Sequence, residues 1–406
     1  MDYFAVGARP ILSRFPPHIP GIFTQVSAQI AEEAAQSAGA RAAPVDEELG
    51  DSGAPPEGAT GGSSGEPGCD GKPCMRIAPK DLHAPYDPSR VKKWKPLRFQ
   101  HLRKLQDATR NQGQVHLMKD CDQNSLVAVK QMPTKWVMTC HAEFIAEHPT
   151  ETEMPWQDIG CVSFLNSCGY AYACKLFDVF RDDTHTYIVT SFATDGDLFA
   201  WCEVGPPPGR ERERVVQPLA VQILEGVQQL HEASIVHRDL SLENILLSKI
   251  GDPSNPVLRV QIIDFSMAST KRTFKNCVRG KASYQAPELH TDKEYDAFLT
   301  DAFSVGVTLY AVLLKDYPWL STRPGGCKCF EYVRNHGFRS YLAKRKLRNS
   351  NSRVTEFMSE PLIQLLEGLL ALDPDDRLTL GESSWPEEAG RRSVWDESWL
   401  RIGPGD

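Results

Sequence analysis

Short runs of alternating apolar and polar residues mark the chain between residues 97 and 192. Such alternation is typical of half-buried β-strands, and turn-forming residues separate one run from the next. Strands are predicted over residues 115–117, 125–130, 170–180 and 186–192. This part of the chain is therefore expected to form a small β-rich unit.

The pattern changes to a helical period further along the chain. Apolar residues recur at the spacing of one helix face over residues 215–232, which predicts a long amphipathic helix. A short strand is predicted over residues 260–264. Helical patterns follow it, for example over residues 361–372, where Pro361 falls in the first turn. The sequence thus predicts an α+β fold, with a small β-rich half followed by a larger α-rich half.

The first 95 residues differ from the rest in composition. Residues 43–73 consist largely of Gly, Pro, Ser and acidic residues, with almost no bulky apolar side chain. Such a segment buries too little apolar surface to offset the entropy of ordering its backbone. We therefore expect residues 1–95 to be a disordered tail and residues 96–402 to be the folded domain. The alternative for the tail is a short amphipathic helix over residues 24–35.

Charge and apolar runs bear on partners and location. The net charge of −8 argues against broad binding to nucleic acid or to an anionic membrane. The longest apolar run, residues 302–314, is too short to cross a bilayer and is expected to be a buried helix. The amino terminus has neither a signal-peptide pattern nor a glycine at position two. A monomer in the cytoplasm or nucleus, without nucleic acid or membrane partners, is expected.

The 11 cysteines follow no disulfide-framework spacing, so they are expected to be reduced thiols inside a cell. Two close pairs, Cys69 with Cys74 and Cys327 with Cys329, resemble halves of a zinc site. Neither has a matching second pair at zinc-site spacing, so no metal site is predicted at either pair.

One polar core between two apolar runs carries the clearest candidate chemistry. In IVHRDLSLENILL, residues 235–247, Asp239 and Asn244 stand five residues apart, as in the phosphoryl-transfer signature H-R-D-x-x-x-x-N. In VAVK, strand alternation places Ala128 and Lys130 on one face, so the ammonium can reach phosphates. Asp239 is the candidate base, while Asn244 and Asp264 offer oxygen ligands of the kind that Mg²⁺ takes.

Residues from about 98 to 402 resemble the catalytic domain of eukaryotic protein kinases, and the resemblance covers its whole length. The sequence GKASYQAPE, residues 280–288, is similar to the segment that closes the activation loop of this family. Asp301 matches the buried aspartate that anchors the catalytic loop, and Arg377 matches the arginine that pairs with Glu288. Residues 393–400 resemble the last helix. The resemblance implies a two-lobed fold and transfer of phosphate from ATP, with Mg²⁺, to serine or threonine hydroxyls of proteins.

The same resemblance assigns a nucleotide site. It implies that Thr190 is the gatekeeper, that residues 191–193, including Ser191 and Ala193, form the adenine-binding hinge, and that Asp197 meets the ribose. Arg238, just before the catalytic aspartate, goes in the family with control by phosphorylation of the activation loop.

The glycine-rich loop departs from the family pattern. Its three glycine positions are Ala108, Arg110 and Gly113, with Val115 behind them to cover the adenine. The lost glycines restrict how closely backbone N–H groups approach phosphates. Arg110 could supply a cation instead, so ATP binding is expected to be weaker but present.

The acidic partner of Lys130 has two candidates. Asp158 is the first choice, because apolar residues follow it on the same helix face, and Glu153 is the second. Ser266 replaces the glycine of Asp-Phe-Gly, and it is expected to restrain the backbone without removing metal binding by Asp264.

Two further positions exchange residue types relative to the family. Ser241 stands where a lysine is usual, and Lys281 stands where a threonine hydroxyl is usual. The hypothesis is that the two exchange roles: Lys281 reaches Asp239 and the phosphate, and Ser241 accepts its hydrogen bond. The alternative is that Lys281 is a surface residue and that the site has lost catalytic function. A cation beside the transferring phosphate is worth orders of magnitude in rate, which favours the exchange.

Regulation and substrate choice leave weaker traces in the sequence. The usual activating threonine position falls on Cys277, so either Thr273 is phosphorylated or Cys277 makes the loop redox-sensitive. Asp197 and Glu243 are acids at positions that favour a basic context around the target hydroxyl. The predicted function is that of a serine/threonine protein kinase. The alternative is an inactive kinase fold that works as a scaffold or allosteric partner.

Overall fold

The computed structural model describes residues 85–401, except residues 109–111, 253, 255, 349 and 387–389. Most of the predicted tail, its alternative helix, Cys69 and Cys74 lie outside the described residues, as does Arg110. Within them, a β-rich lobe is followed by a helical lobe, so the predicted α+β, two-lobed architecture is confirmed.

The first lobe is built on one twisted sheet. In the described residues its strands run in the order β1-β5-β6-β4-β3-β2. The strands are β1 Lys92–Lys93, β2 Phe99–Ala108, β3 Gly113–Asp120, β4 Ser125–Pro133, β5 Leu176–Arg181 and β6 His185–Ser191. Neighbouring strands are antiparallel except β1 and β5, which pair in parallel. Lys130 sits in the middle of the sheet, opposite Val115 on β3 and Ile188 on β6.

Three helices cover this sheet: α1 Thr134–Val137, α2 His141–Glu147 and α3 Pro155–Ser167. The side chains of Trp156 and Ile159 on α3 pack with Phe144 and Val179 in one buried cluster. The Trp156 indole Nε1 also donates to the carbonyl oxygen of Val137 at 2.8 Å, which satisfies its polar atom inside the core. These contacts fix α3 against the sheet and thereby fix Asp158.

The second lobe is helical. Its helices are α4 Leu198–Val204, α5 Arg210–Glu232, α6 Ala297–Leu314, α7 Lys328–His336, α8 Phe338–Lys344, α9 Glu360–Leu369 and α10 Ser398–Arg401. Within the described part, α6 alone is long and apolar enough to cross a bilayer, and 94% of it is buried inside the protein. It is thus the buried core helix that the sequence predicts over residues 302–314.

Two small antiparallel sheets complete the second lobe. Strands β7 Ile245–Ile250 and β8 Val257–Ile262 pair directly after the segment that carries Asp239. Strands β9 Thr273–Lys275 and β10 Glu294–Asp296 pair further on, in a region for which the sequence predicts helices alone. Both β9 and β10 have three residues, too few to give a visible alternation.

The structure corrects several predicted bounds. Residues 170–175, predicted as part of a strand over residues 170–180, lie outside the observed β5, because their polar groups bond elsewhere: the Tyr170 N–H to Leu165 and the Tyr172 carbonyl to the N–H of Ile262. The strand predicted to reach residue 264 ends at Ile262, since Asp264 has φ 66°. The predicted last helix is a 3₁₀ turn, Val394–Asp396, followed by the short α10.

Candidate active site

A buried carboxylate holds the segment that carries Asp239. Asp301, on α6, accepts the backbone N–H of His237 at 2.7 Å and that of Arg238 at 2.9 Å. Arg238 has φ 68°, a left-handed conformation that is costly for a side chain with a Cβ. The two hydrogen bonds stabilise this conformation and so set the direction in which the next residue, Asp239, projects.

Behind this anchor, a buried histidine lies between two carboxylates. His231, on α5, is within hydrogen-bond distance of Asp301 Oδ2, at 3.1 Å, and of Glu382 Oε1, at 2.6 Å. Burial opposes its positive charge, but the hydrogen bonds to the two carboxylates outweigh burial and raise the pKa of His231 to about 9. His231 is therefore an imidazolium at neutral pH, and it ties α5 to α6 and to the segment around Glu382.

Asp239 and Asn244 lie together at the end of the catalytic segment. The Asn244 side-chain amide donates to the carbonyl oxygen of Asp239 at 2.8 Å and to its carboxylate at 3.2 Å. Burial raises the pKa of Asp239, while the charge of Lys281 opposes the rise. The carboxylate thus has a partly neutralising cation nearby and remains a candidate proton acceptor.

Lys130, on β4, faces Asp158, on α3, with 3.5 Å between Nζ and Oδ2. Burial opposes the ammonium charge, but attraction from Asp158, Asp264 and Glu153 is larger in sum and raises the pKa of Lys130. Asp158 is thus the closer acid, and Glu153 contributes at longer range. The aspartate, shorter than glutamate, reaches the lysine because α3 packs tightly on the sheet.

Asp264 and Ser266 form a locally closed turn. The Ser266 hydroxyl donates to Asp264 Oδ1 at 2.6 Å. Burial favours the neutral carboxyl, but Lys130 and the Ser266 hydroxyl outweigh it and lower the pKa of Asp264. Phe265 stands between Asp264 and Ser266 in the sequence, and its N–H donates to Asp158 Oδ1 at 2.9 Å. The Phe265 ring is fully buried against His237. The α3 carboxylate therefore contacts both Lys130 and the Asp264 segment.

Lys281 and Ser241 are in direct contact. The ammonium donates to Ser241 Oγ at 2.7 Å and lies 3.1 Å from Glu243 Oε2. The backbone N–H of Lys281 donates to Asp239 Oδ1 at 3.2 Å. Ser241 is fully buried. Lys281 is thus not a free surface lysine, and Glu243, an acid assigned by sequence to substrate binding, already has a cationic partner.

The residues assigned to the nucleotide by sequence lie on the sheet and at its junction with the second lobe. Val115 is opposite Lys130, and Ala128 lies opposite Thr190 of β6. Gly113 begins β3 and is paired with Ala108. At the connection to the second lobe, the Ser191 N–H donates to the Lys175 carbonyl oxygen, and the Ser191 hydroxyl oxygen accepts the Lys175 N–H. Ala193 is buried. The Asp197 carboxylate caps α4 by accepting the N–H of Ala200 at 2.7 Å.

The activation segment packs on Arg238. The guanidinium donates to Cys277 Sγ at 3.0 Å and lies 4.0 Å from the Phe274 ring centroid. Thr273, the candidate phosphorylated residue, lies on β9 with its side chain exposed. At the end of the segment, Arg377 forms a two-point ion pair with Glu288, at 2.5 and 3.0 Å. The arginine side chain of that pair is fully buried.

Sequence reasoning missed two contacts that shape the site. The Tyr284 hydroxyl accepts the backbone N–H of Leu242 at 3.2 Å and bonds the Tyr317 hydroxyl at 2.9 Å. His237 Nε2 lies 3.0 Å from the carbonyl oxygen of Ile263 and so joins the Asp239 and Asp264 segments. Both residues stand inside motifs already singled out, but their partners are 26 to 42 positions away.

A β-rich lobe joined to a helical lobe, with a lysine–acid pair and two carboxylate-bearing segments between them, is the architecture of a protein kinase catalytic domain. Comparison with protein families agrees: the family model described as "Protein kinase domain" matches residues 111–385, more than half of the chain. The chain therefore belongs to the protein kinase family.

Three curated relatives are serine/threonine-protein kinases of plants. SAPK5 of Oryza sativa subsp. japonica is 31% identical over 201 residues, 49% of this chain and 49% of that protein. AtPK2/AtPK19 of Arabidopsis thaliana is 27% identical over 292 residues, 71% of this chain and 52% of that protein. SRK2C of Arabidopsis thaliana is 30% identical over 244 residues, 53% of this chain and 68% of that protein. The chain spans about half the length of the first two relatives.

Proposed function

We propose that the chain transfers the γ-phosphoryl group of ATP to serine or threonine hydroxyls of protein substrates. The observation that carries the proposal is the direct contact between Lys281 and Ser241 beside Asp239. A site that had lost its function would have no need to keep a cation there after losing the usual lysine. The relatives named above are serine/threonine-protein kinases, which supports the same class of acceptor.

Each charged residue has a role in this proposal. Lys130, held by Asp158, binds phosphate oxygens of the nucleotide. Asp239 accepts a hydrogen bond from the substrate hydroxyl and takes its proton as the new O–P bond forms. Lys281 stabilises the negative charge on the transferring group from the side of Ser241.

The donor set around Asp239 fits Mg²⁺, which prefers carboxylate and amide oxygens. Asn244 uses its amide nitrogen for both bonds to Asp239, so its side-chain oxygen is the atom that can serve a cation. Asp264 uses Oδ1 for the Ser266 hydroxyl and retains Oδ2. Bound Mg²⁺ would neutralise phosphate charge in the site.

The nucleotide base would lie between the sheet and the connection to the second lobe. In this proposal Val115 and Ala128 cover it, Ser191 and Ala193 offer backbone groups to it, and Asp197 reaches the ribose. Gly113 lets the β2–β3 hairpin approach the phosphates, although Gln112 before it adopts φ 52° without being glycine. Weaker ATP affinity than a three-glycine loop would give is part of the proposal.

A preference for basic residues near the target hydroxyl is a finer proposal. Asp197 and Glu243 are its acidic contacts, but Glu243 already pairs with Lys281. The preference is therefore expected to be modest. The proposed domain covers residues 96–402, acts as a monomer in the cytoplasm or nucleus, and needs neither nucleic acid nor membrane.

The test compares the chain with its Asp239→Asn variant, using Mg²⁺, labelled ATP and a panel of basic and acidic serine peptides. Asparagine keeps the size of the side chain and one of its two acceptor oxygens, and it removes the basic carboxylate. We expect transfer by the native chain and a loss of about 100-fold or more in the variant. Nucleotide binding without transfer in the native chain would instead establish the scaffold alternative, which the incomplete glycine-rich loop favours.

A further inference from the structure

Two cysteines lie side by side at the start of helix α7. Cys327 is the residue before the helix, in extended conformation with φ −151° and ψ 121°, and Cys329 is its second residue. Both side chains are half-buried and neither is in a disulfide. They do not contact the site proposed for phosphoryl transfer.

The surroundings favour a thiolate on Cys327. The Cys329 thiol donates a hydrogen bond to it, the Leu320 N–H donates to its sulfur at 3.5 Å, and N–H groups of the first helical turn add to these. The hydrogen bond from Cys329 is the largest cause, and together they lower the pKa of Cys327 to about 5. The same hydrogen bond raises the pKa of Cys329, so one thiolate and one thiol lie next to each other.

A structural metal does not fit this pair. Zinc sites need three or four ligands, and no group of three or more metal-ligating His, Cys, Asp or Glu side chains occurs in the described ranges of the chain. Arg345 donates to Cys329 Sγ at 3.5 Å and pairs with Asp316 at 2.6 Å. The arrangement suits nucleophilic sulfur chemistry better than metal binding.

We propose that Cys327 and Cys329 form a peroxide-sensitive dithiol, which closes to a disulfide and releases the Leu320 N–H from Cys327. In the first step the Cys327 thiolate attacks one oxygen of hydrogen peroxide, the O–O bond breaks, and the leaving hydroxide takes a proton to become water. In the second step the Cys329 sulfur attacks the sulfenic acid at Cys327. Its proton goes to the departing hydroxyl, and a second water leaves. The two sulfurs are oxidised and the peroxide is reduced.

The geometry allows this bond but strains it. Cysteines two positions apart have Cα atoms about 5.5–7 Å apart, close to the upper limit of what a disulfide spans. Closing the ring must turn Cys327 away from Leu320 or open the first turn of α7. A strained disulfide is reduced easily, so the modification is reversible by ordinary cellular thiols.

Leu320 connects this pair to the end of the activation segment. Its N–H donates to Cys327, and its carbonyl oxygen accepts the Ser283 hydroxyl at 3.1 Å. Ser283 lies two residues after Lys281 and next to Tyr284, which bonds the Asp239-bearing segment through Leu242. Oxidation therefore loosens the segment that, under the proposed function, positions the protein substrate.

The first experiment detects the bond. The full chain is treated with equimolar hydrogen peroxide at pH 6.5, remaining thiols are blocked with N-ethylmaleimide, and the protein is digested with trypsin. Cleavage after Lys328 separates peptide 316–328 from peptide 329–334, so a disulfide leaves the two joined until dithiothreitol is added. Recovery of the two peptides unlinked, with both Cys327 and Cys329 alkylated, would overturn the proposal.

Matched variants control for general oxidation. In Cys329→Ser, oxidation is expected to stop at a sulfenic acid on Cys327, which dimedone traps as a stable adduct. Cys121 is the control thiol because it is more exposed than Cys327. We expect at least tenfold faster alkylation of Cys327 than of Cys121 at pH 6. Equal rates, or faster reaction at Cys121, would contradict the proposed thiolate.

The second experiment reads the structural effect without using enzyme activity. Hydrogen exchange of the Leu320 amide is followed before and after oxidation of the chain. We expect faster exchange at Leu320 after oxidation, and no such change in Cys329→Ser. A disulfide that forms without faster exchange there would refute the release of Leu320.

Discussion

At the scale of single residues, the site depends on where one positive charge is placed. Lys281 and Ser241 are 40 positions apart and share a hydrogen bond of 2.7 Å. Each departs from the kinase pattern when considered alone, and together they keep one ammonium and one hydroxyl beside Asp239. Under the proposed exchange the two residues compensate each other, so the pair is more informative about function than either residue alone.

The exchange predicts how single and double variants behave. Lys281→Thr is expected to reduce kcat by about 100-fold or more, because it removes charge stabilisation from the transferring phosphate. The double variant Ser241→Lys with Lys281→Thr restores the usual kinase arrangement and is expected to regain part of the loss. The measurement is kcat with a serine peptide at saturating ATP.

The control for this pair is Lys293→Thr, which removes an equal charge from an exposed position. It is expected to leave kcat unchanged. Ser241→Lys alone should be the poorest variant, because it places a second ammonium next to Lys281 in a buried position. Near-native kcat in Lys281→Thr would refute the exchange.

Local motifs indicate the candidate residues but not their partners. Lys130, Asp239, Asn244 and Asp264 stand in short patterns that the sequence makes visible. Tyr284 and His237 also stand inside such patterns, but their roles depend on groups that only the folded chain brings near. The pairing of Glu243 with Lys281 was equally hidden, since nothing in the sequence brings the two together.

At the scale of elements, α3 carries the contact that links the sheet to the Asp264 segment. Asp158 serves both Lys130 and the Phe265 N–H. The strand prediction over residues 170–180 is wrong for residues 170–175 for a related reason, although residues 176–180 do lie in β5. Its apolar residues are recruited by the second lobe, where the Tyr170 hydroxyl bonds the carbonyl oxygen of Gly226. Alternation shows that residues are buried but not against which element.

Two substitutions separate the two functions of Asp158. Asp158→Asn keeps an oxygen for the Phe265 N–H and loses the charge, whereas Asp158→Ala loses both. Both are expected to raise KM for ATP several-fold. The alanine variant should also be less stable by about 1–3 kcal/mol, because it leaves a buried N–H unpaired. Urea unfolding and initial-rate kinetics measure the two effects.

Glu153→Gln is the comparison variant for the alternative partner of Lys130. Because Asp158 is the acid in contact with the lysine, the glutamine variant should change KM for ATP less than Asp158→Asn does. The reverse order would make Glu153 the functional partner.

The buried histidine predicts a dependence of stability on pH. The pKa of His231 is about 9 in the fold and 6.5 in its ordinary state. A group whose pKa is raised on folding contributes its full stabilisation below the unfolded value and loses it as pH rises through the folded value. The chain should therefore lose stability between pH 6.5 and pH 9.

The variant His231→Gln provides the check. It leaves Asp301 and Glu382 buried without a cation, so its free energy of unfolding should fall below that of the native chain most strongly at pH 6. The deficit should shrink above pH 9, where the native histidine is neutral. A deficit independent of pH in urea unfolding would contradict a charged His231.

At the scale of the whole molecule, the proposed nucleotide binding is expected to be coupled to folding. Residues from both lobes form the proposed site, so a ligand that binds there stabilises the folded chain by mass action. The two-lobed architecture follows from the sequence because alternation and helical periods occupy separate stretches. The β9–β10 pair cannot be predicted from the sequence, since three-residue strands leave no periodic signal.

Mg²⁺ with ATP at 100 times its dissociation constant is expected to raise the free energy of unfolding by about 2.7 kcal/mol. Asp264→Asn should remove the part of this stabilisation that depends on Mg²⁺, whereas the exposed control variant Asp292→Asn should retain that part. Thermal unfolding with and without Mg²⁺ measures both. Equal stabilisation of Asp264→Asn with Mg²⁺ would remove Asp264 from the metal site.

The closed turn at Asp264 has a consequence for inhibitor design. Phe265 is held by its N–H bond to Asp158, and the neighbouring Ser266 hydroxyl is bonded to Asp264. A compound that displaces Phe265 from this position must break its N–H bond to Asp158, which is worth about 1.5–3 kcal/mol because a charged group takes part. Drug-like molecules that compete only for the proposed adenine region avoid that loss. Screening against this chain should therefore favour chemotypes that leave the phenylalanine in place.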